Sequence, residues 1–170
     1  MLAGSQFDLA GILVSLRPVA DRDRDFLAAV YASTREEELA NVPWTPEQKR
    51  AFVAHQFAAQ DAAYTANYPG ASRLVIVADG AEVGRLYLHP RAGEIRIMDI
   101  AFLPAARGRG IGTAVLQRVL AEGARSGRFV SIHVESFNPA RALYERLGFQ
   151  LAEAGPVYLR LEWRPSAGSQ

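Results

Sequence analysis

The sequence predicts a mixed α/β fold, with antiparallel hairpins arranged around a single parallel β-α-β unit. Three observations predict it. Apolar residues first recur at helical spacing, at Phe26, Leu27, Val30 and Tyr31 and again at Val53, Phe57 and Tyr64. The pattern then changes to short strand-like runs, with Leu74–Ala78 and Val83–Leu88 joined by Asp79-Gly80. Asp-Gly suits the type I′ turn, so this is a hairpin. Last, Ile111, Val115, Leu116, Val119 and Leu120 form a helical stripe between an Ile-rich run at 94–103 and a strand at Phe129–Glu135. A helix joining two strands is the usual parallel crossover.

The remaining elements follow in order. Ile12 to Arg17 reads as a strand stopped by Pro18, and Asp21 or Asp23 can cap the first helix. That helix runs into Glu36-Glu37-Glu38 and then Asn41-Val42-Pro43-Trp44. Thr45-Pro46-Glu47-Gln48 is a capping box with Pro at the first helical position, so a second helix starts there and ends before Tyr68-Pro69-Gly70. Gly127 closes the third helix; a short helix at 139–147 and strands at 149–152 and 157–163 complete the chain. Residues 1–10 and 165–170 read as loose tails around one domain spanning 1–170.

Composition narrows the function classes. The chain has 170 residues, 49% hydrophobic and 22% charged, which is a globular composition. It has no Cys, excluding a disulfide scaffold, a thiolate zinc site and a Cys nucleophile. His55, His89 and His133 lack metal-ligand spacing, so no metal is expected. The net charge is +1, giving no general attraction to nucleic acid. Residues 99–170 nevertheless carry 9 basic and 6 acidic side chains, so positive potential gathers in the C-terminal part. Lys49 is the one lysine and lies outside any glycine loop, which excludes a Walker A phosphate loop. The first residues lack a signal-peptide pattern, and no run has the ~18 apolar residues of a membrane span. A soluble, cytoplasmic protein without a membrane partner is expected.

The strongest motif is Arg107-Gly108-Arg109-Gly110-Ile111-Gly112-Thr113, between a strand and an amphipathic helix. Glycines let a ligand approach the backbone, and N–H groups at a helix start favour an anion. The bland alternative is a turn that needs only positive φ. The dinucleotide fingerprint Gly-x-Gly-x-x-Gly fails, because Thr113 or Val115 falls where its last glycine belongs. Glu135, ending the next strand, is the one feature favouring a nucleotide reading.

This loop, following Leu103-Pro104, resembles the coenzyme loop of the GNAT superfamily of acetyl-CoA-dependent N-acetyltransferases. Asn138 followed by Leu143-Tyr144-Glu145-Arg146-Leu147-Gly148-Phe149 resembles that family's second mark. The resemblance spans about residues 72–163. It implies a GNAT-like acyl-CoA N-acyltransferase fold, a mostly antiparallel, V-shaped splayed sheet flanked by helices, with acetyl-CoA entering between strands 94–103 and 129–135. It further implies that the amides of Arg107, Gly108, Arg109, Gly110, Ile111, Gly112 and Thr113 hold the pyrophosphate. The backbone of Ala101, Phe102 and Leu103 would pair with the pantetheine arm, and Tyr144 would protonate the departing sulfur.

The same residues also have structural readings. Tyr144 with Leu143 and Leu147 would make the buried face of a short helix. Asn138 before Pro139 is a good N-cap, and it stands six residues before Tyr144 where the family usually has seven. Strict alternation puts Asp99 on the face of Ile95 and Ile97, where a raised pKa would suit a general base. Alternatively, backbone N–H groups at a bulge satisfy it. Glu94 is a second candidate base. Ser131, His133 and Glu135 share one face of their strand, as an acceptor wall or a solvated surface. Glu36, Glu37 and Glu38, with Trp44 and Tyr31, would suit a cationic amine.

The expected function is acetyl transfer to a small-molecule or peptide amine by direct attack in a ternary complex. A non-catalytic acyl-CoA-binding module and a nucleotide-binding domain are the alternatives. The closing strands offer a surface for a homodimer.

Overall fold

A computed structural model describes residues 1–167 of the chain. In chain order it contains β1 (Gln6–Leu9), β2 (Ile12–Pro18), α1 (Arg24–Ala40), α2 (Pro46–Asn67), β3 (Ser72–Ala78), β4 (Ala81–Pro90) and β5 (Glu94–Phe102). Then come α3 (Ile111–Ser126), β6 (Phe129–Glu135), α4 (Arg141–Arg146), β7 (Gln150–Ala154) and β8 (Tyr158–Trp163). The strands form one sheet in the order β1-β2-β3-β4-β5-β6-β8-β7. Every neighbouring pair is antiparallel except β5 and β6, which α3 connects. The mixed sheet expected from the sequence is the observed fold.

Local chemistry explains most boundaries. The Thr45 hydroxyl accepts from the Gln48 N–H at 3.1 Å, and the Gln48 side chain accepts from the Thr45 N–H at 2.9 Å, closing the capping box that starts α2. Asp79 (φ 49°) and Gly80 (φ 80°) are both left-handed, as the tight turn between β3 and β4 requires.

Two expectations need correction. Residues 1–10 are not a loose tail, because β1 pairs with β2 and both Leu2 and Phe7 are buried in the core. Of the expected C-terminal tail, residues 168–170 lie outside the described residues. Nor does Asp21 or Asp23 cap the first helix by its side chain. The Asp23 carboxylate is buried instead against Arg17, which reaches it with two hydrogen bonds of 2.8 Å. It also accepts from the Ala20 N–H at 2.7 Å, which joins the end of β2 to the start of α1.

Helices cover both faces of the sheet. The α3 stripe Ile111, Val115, Leu116, Val119 and Leu120 packs on Leu86, Leu88, Ile95, Ile97, Val130 and Ile132 to form the main core. On the opposite face, Leu27, Tyr31, Val53 and Phe57 hold α1 and α2 together as a second, smaller cluster. Burying each such large side chain contributes about 1.5–3 kcal/mol. No helix among the described residues is long and apolar enough to cross a membrane.

The sheet opens at one place. β5 pairs with β6 only from Glu94–Phe129 to Ile97–Ile132. Beyond that point β5 follows β4 as far as Phe102, while β6 follows β8 as far as Glu135. The two central strands therefore diverge, which is the splayed V.

Candidate active site

The glycine loop opens α3 beside this V. Gly108 (φ 74°) and Gly110 (φ 81°) occupy the left-handed region, where a side chain is strained. Gly110 is the residue at the N-cap of α3, so no side chain caps the helix. The first-turn N–H groups keep no internal partner and suit an anion. Gly112 serves packing: a Cβ there would lie 3.3 Å from the Phe102 ring, which on its other side fills the space over Gly84. The Arg107 side chain is turned away from the helix start, donating to the Phe102 carbonyl at 3.1 Å and to the Ser33 hydroxyl at 3.3 Å. Arg109 is exposed and makes no hydrogen bond or ion pair among the described residues.

Loop, strand and short helix together enclose a cleft of about 330 Å³. Ile100, Phe102, Gly110, Thr113, Leu143 and Tyr144 are among its walls. Tyr144 is buried, and its ring meets Phe149 edge-on at 5.7 Å between centroids. Its hydroxyl makes no hydrogen bond among the described residues. Burial, and then the nearby Asp99 carboxylate, push its pKa up to about 12 rather than the free-phenol value. The phenol is protonated at neutral pH, as an unshifted phenol also is.

Past Ile97, the edge of β5 that faces β6 has no strand partner. The Leu103 N–H donates to the Val83 carbonyl at 2.9 Å, so it is already spent on the β4 side. Alternation along the strand then directs the polar groups of Ala101 toward β4 and those of Ile100 and Phe102 toward the open edge. Of the three residues expected to offer backbone to a ligand, only Phe102 faces the cleft side, and Ile100 joins it. Asn138 acts locally: its side-chain oxygen accepts from the Ala140 N–H at 2.8 Å, three residues ahead of the first residue of α4 rather than as its N-cap.

The acids are placed differently from the strict alternation of the sequence. Ile97 pairs with Leu88 and Asp99 with Tyr87, which leaves Met98 as an extra residue in β5. This bulge turns Asp99 off the face of Ile95 and Ile97, and Ile100 takes the apolar position opposite Leu86. Asp99 therefore lies with Arg85 and Tyr87 beneath α1 and α2. Its carboxylate is 2.5 Å from the Arg85 guanidinium, an ion pair in which neither Asp99 Oδ2 nor Arg85 Nε completes a hydrogen bond, so a side-chain charge and not bulge N–H groups faces it. Glu94 sits at the closed end of the V, opposite Phe129, away from the cleft. It bonds to Ser131 and to Arg160 at 3.0 Å, and although desolvation opposes it, these partners and Arg91 hold its pKa below the usual value. Its position at the closed end of the V sets Glu94 apart from chemistry at the open end.

Three contributing residues were missed in the sequence. Arg85 is 2% exposed, donates to the Gln60 side chain at 3.1 Å, and lies over the rings of Tyr87 and Tyr31. Its signal was available: a lone charge inside the apolar run Val83–Leu88 needs a buried partner. Tyr64 meets Tyr87 edge-on at 5.8 Å, and burial followed by Asp99 pushes its pKa up to about 12. Arg96 pairs across the ladder with His89 on the same face. The expected cationic-amine wall does not assemble. Tyr31 is buried beneath Arg35 and Arg85, Trp44 packs on Phe52, and Glu38 pairs with Arg35 at 2.9 Å.

A family described as "Acetyltransferase (GNAT) domain" matches residues 70–151, which include the loop, the open edge of β5 and Tyr144. The chain belongs to the GNAT superfamily. It is 35% identical over 122 residues to mycothiol acetyltransferase of Corynebacterium glutamicum, covering 68% of this chain and 39% of that protein. The chain thus spans about two fifths of the length of the curated relatives it matches. The PaiA N-acetyltransferase of Thermoplasma acidophilum, solved in complex with coenzyme A, shares the fold with a TM-score of 0.68 at 15% identity, covering 89% of this chain and 98% of that one. The ribosomal-protein-S18-alanine N-acetyltransferase of Escherichia coli does so with a TM-score of 0.61 at 18% identity, over 92% and 97%.

Proposed function

We propose that this chain is one catalytic domain that moves an acetyl group from acetyl-CoA to a primary amine. One juxtaposition supports the reading. An uncapped glycine-rich helix start, an unpaired strand edge and a buried phenol share a single cleft. An anion, an amide chain and a thioester sulfur are the three groups these features suit.

Acetyl-CoA supplies the activated acyl group. The N–H groups at 110–113 hold its diphosphate, with Arg109 adding charge. The open-edge groups of Ile100 and Phe102 align the amide-bearing arm, and one of their N–H groups polarises the thioester carbonyl. The amine enters from the opposite face of the sheet, through the gap beyond Ile97 and Ile132. As its nitrogen bonds to the acetyl carbon, Asp99 receives the amine proton, directly or through water. The carbon–sulfur bond breaks, and Tyr144 gives its proton to the sulfur, so the products are an amide and a free thiol.

Release of free thiol from acetyl-CoA, followed across a panel of amines, tests this reading. Thiol released in step with an acetylated amine is expected. Binding of acetyl-CoA with no amine acetylated favours the non-catalytic alternative.

A further inference from the structure

On the acceptor face of the open V, three carboxylates are already engaged, whereas Glu135 at the end of β6 makes no ion pair among the described residues. Asp99 is held by Arg85, Glu94 by Arg160, and Glu162 by Arg160 and Arg164. Farther out, Asp61 is held by Arg73 and Arg24. Arg96 stands among them without a counter-ion. Among the described residues it has no carboxylate within 4.0 Å and no hydrogen bond, and its Nε is buried without a partner. An uncompensated guanidinium in a half-buried site is costly unless a ligand completes it.

Its surroundings are aromatic on the side of α2. The guanidinium lies 6.0 Å from the centre of the Tyr68 ring, which meets His89 edge-on at 5.2 Å. Tyr64 stands beside Tyr68, with 6.2 Å between ring centres. His133 is close enough that desolvation, and then Arg96 and Arg160, depress its pKa, with Glu94 and Glu153 opposing them. Position completes the argument. Arg96 and Asp99 pair with His89 and Tyr87, which are two residues apart on β4, or about 7 Å along the strand. A cationic fork therefore lies one short molecule away from the gap where the amine reacts.

We propose that Arg96 binds a carboxylate on the acceptor, so that the preferred substrate is an amine carrying a carboxylate nearby and not a polycation. The planar guanidinium presents two parallel donors, the geometry a carboxylate matches. Tyr68 fixes the plane. The carboxylate belongs either to a free amino acid or to an acidic residue near a peptide N-terminus. This inference rests on the transferase reading for its functional meaning, although the binding it claims does not.

Two readouts test it separately. Free amino acids and peptides with an acidic second residue are compared with their own amides, for acetylation and for calorimetric binding to the CoA-saturated protein. Carboxylate forms should exceed amide forms at least tenfold in kcat/KM and in affinity. Arg96→Met should abolish that preference with acetyl-CoA affinity and unfolding midpoint unchanged, and Arg96→Lys should restore part of it. The peptide and amino-acid arms identify which source is used. Arg96-dependent carboxylate binding without acetylation would support this site and contradict the transferase reading. Equal use of amides or polyamines, or a preference that survives in Arg96→Met, would overturn the proposal and leave the transferase reading standing. Failure of every carboxylate-bearing amine to bind or react would overturn it as well.

Discussion

Asp99 and Arg85 lie 2.5 Å apart across the β4–β5 ladder, the carboxylate about a quarter exposed and the guanidinium almost wholly buried. The bulge at Met98 makes this meeting possible, because without it Asp99 would face the main core. Losing one partner leaves a buried charge unmatched. Asp99→Asn should therefore cost about 3 kcal/mol in urea unfolding. The double variant Arg85→Met, Asp99→Leu should recover most of that loss, and failure to recover it would show that the pair contributes more than charge compensation.

Tyr144 predicts a separation of rate from binding. Its hydroxyl bonds to no protein group among the described residues, so Tyr144→Phe should leave the unfolding midpoint and acetyl-CoA affinity nearly unchanged. Turnover should fall about 10²–10⁴-fold, the usual contribution of a general acid. Undiminished turnover would remove Tyr144 from the reaction.

Gly110 predicts a backbone effect. A Cβ at this position meets nothing within 4 Å, yet the left-handed φ of 81° disfavours any side chain. Gly110→Ala should cost about 1–2 kcal/mol of stability and weaken acetyl-CoA binding by tilting the helix-start N–H groups. Gly127→Ala carries the same kind of strain at φ 68° but lies at the far end of α3, and it should leave that affinity unchanged.

Asp23 predicts acid sensitivity. The Arg17 hydrogen bonds, joined by the Ala20 N–H and opposed by desolvation, lower its pKa from 3.8 to about 2. Because the folded value is the lower one, the stabilisation is complete above about pH 4 and is lost as pH falls through about 2. Its size is about 1–2 kcal/mol after screening at the partly exposed Arg17. In chemical unfolding followed from pH 5 to pH 2, Asp23→Asn should flatten this part of the stability curve, and an unchanged slope would contradict the assignment.

What the sequence made legible was local. Asp79-Gly80, the Thr45 capping box and the glycine loop each announce a backbone conformation through residue types that favour it. The first hairpin was hidden because its turn is Ala10-Gly11, and alanine at φ 49° carries no turn signature. Asp23 looked like a cap because Asp before a helical stripe usually is one; its partner Arg17 becomes a neighbour only when β2 ends against α1. Met98 shows the limit most clearly. One extra residue reverses every facing beyond it, and nothing in Ile95-Arg96-Ile97-Met98-Asp99 marks which residue is extra. Tyr144 and the helix-start loop could be named in advance, whereas the Arg85 pair and the unpaired Arg96 depend on packing between distant segments.

The central claim is that the glycine loop, the open edge of β5 and Tyr144 form an acetyl-CoA site. Calorimetric titration of ligand-free protein with acetyl-CoA, with a dinucleotide as the control, tests it most directly. The account predicts micromolar binding of acetyl-CoA at one site per chain, weakened in Gly110→Ala, with no binding of the dinucleotide. Absence of acetyl-CoA binding by protein shown to be folded, or tighter binding of the dinucleotide, would contradict it.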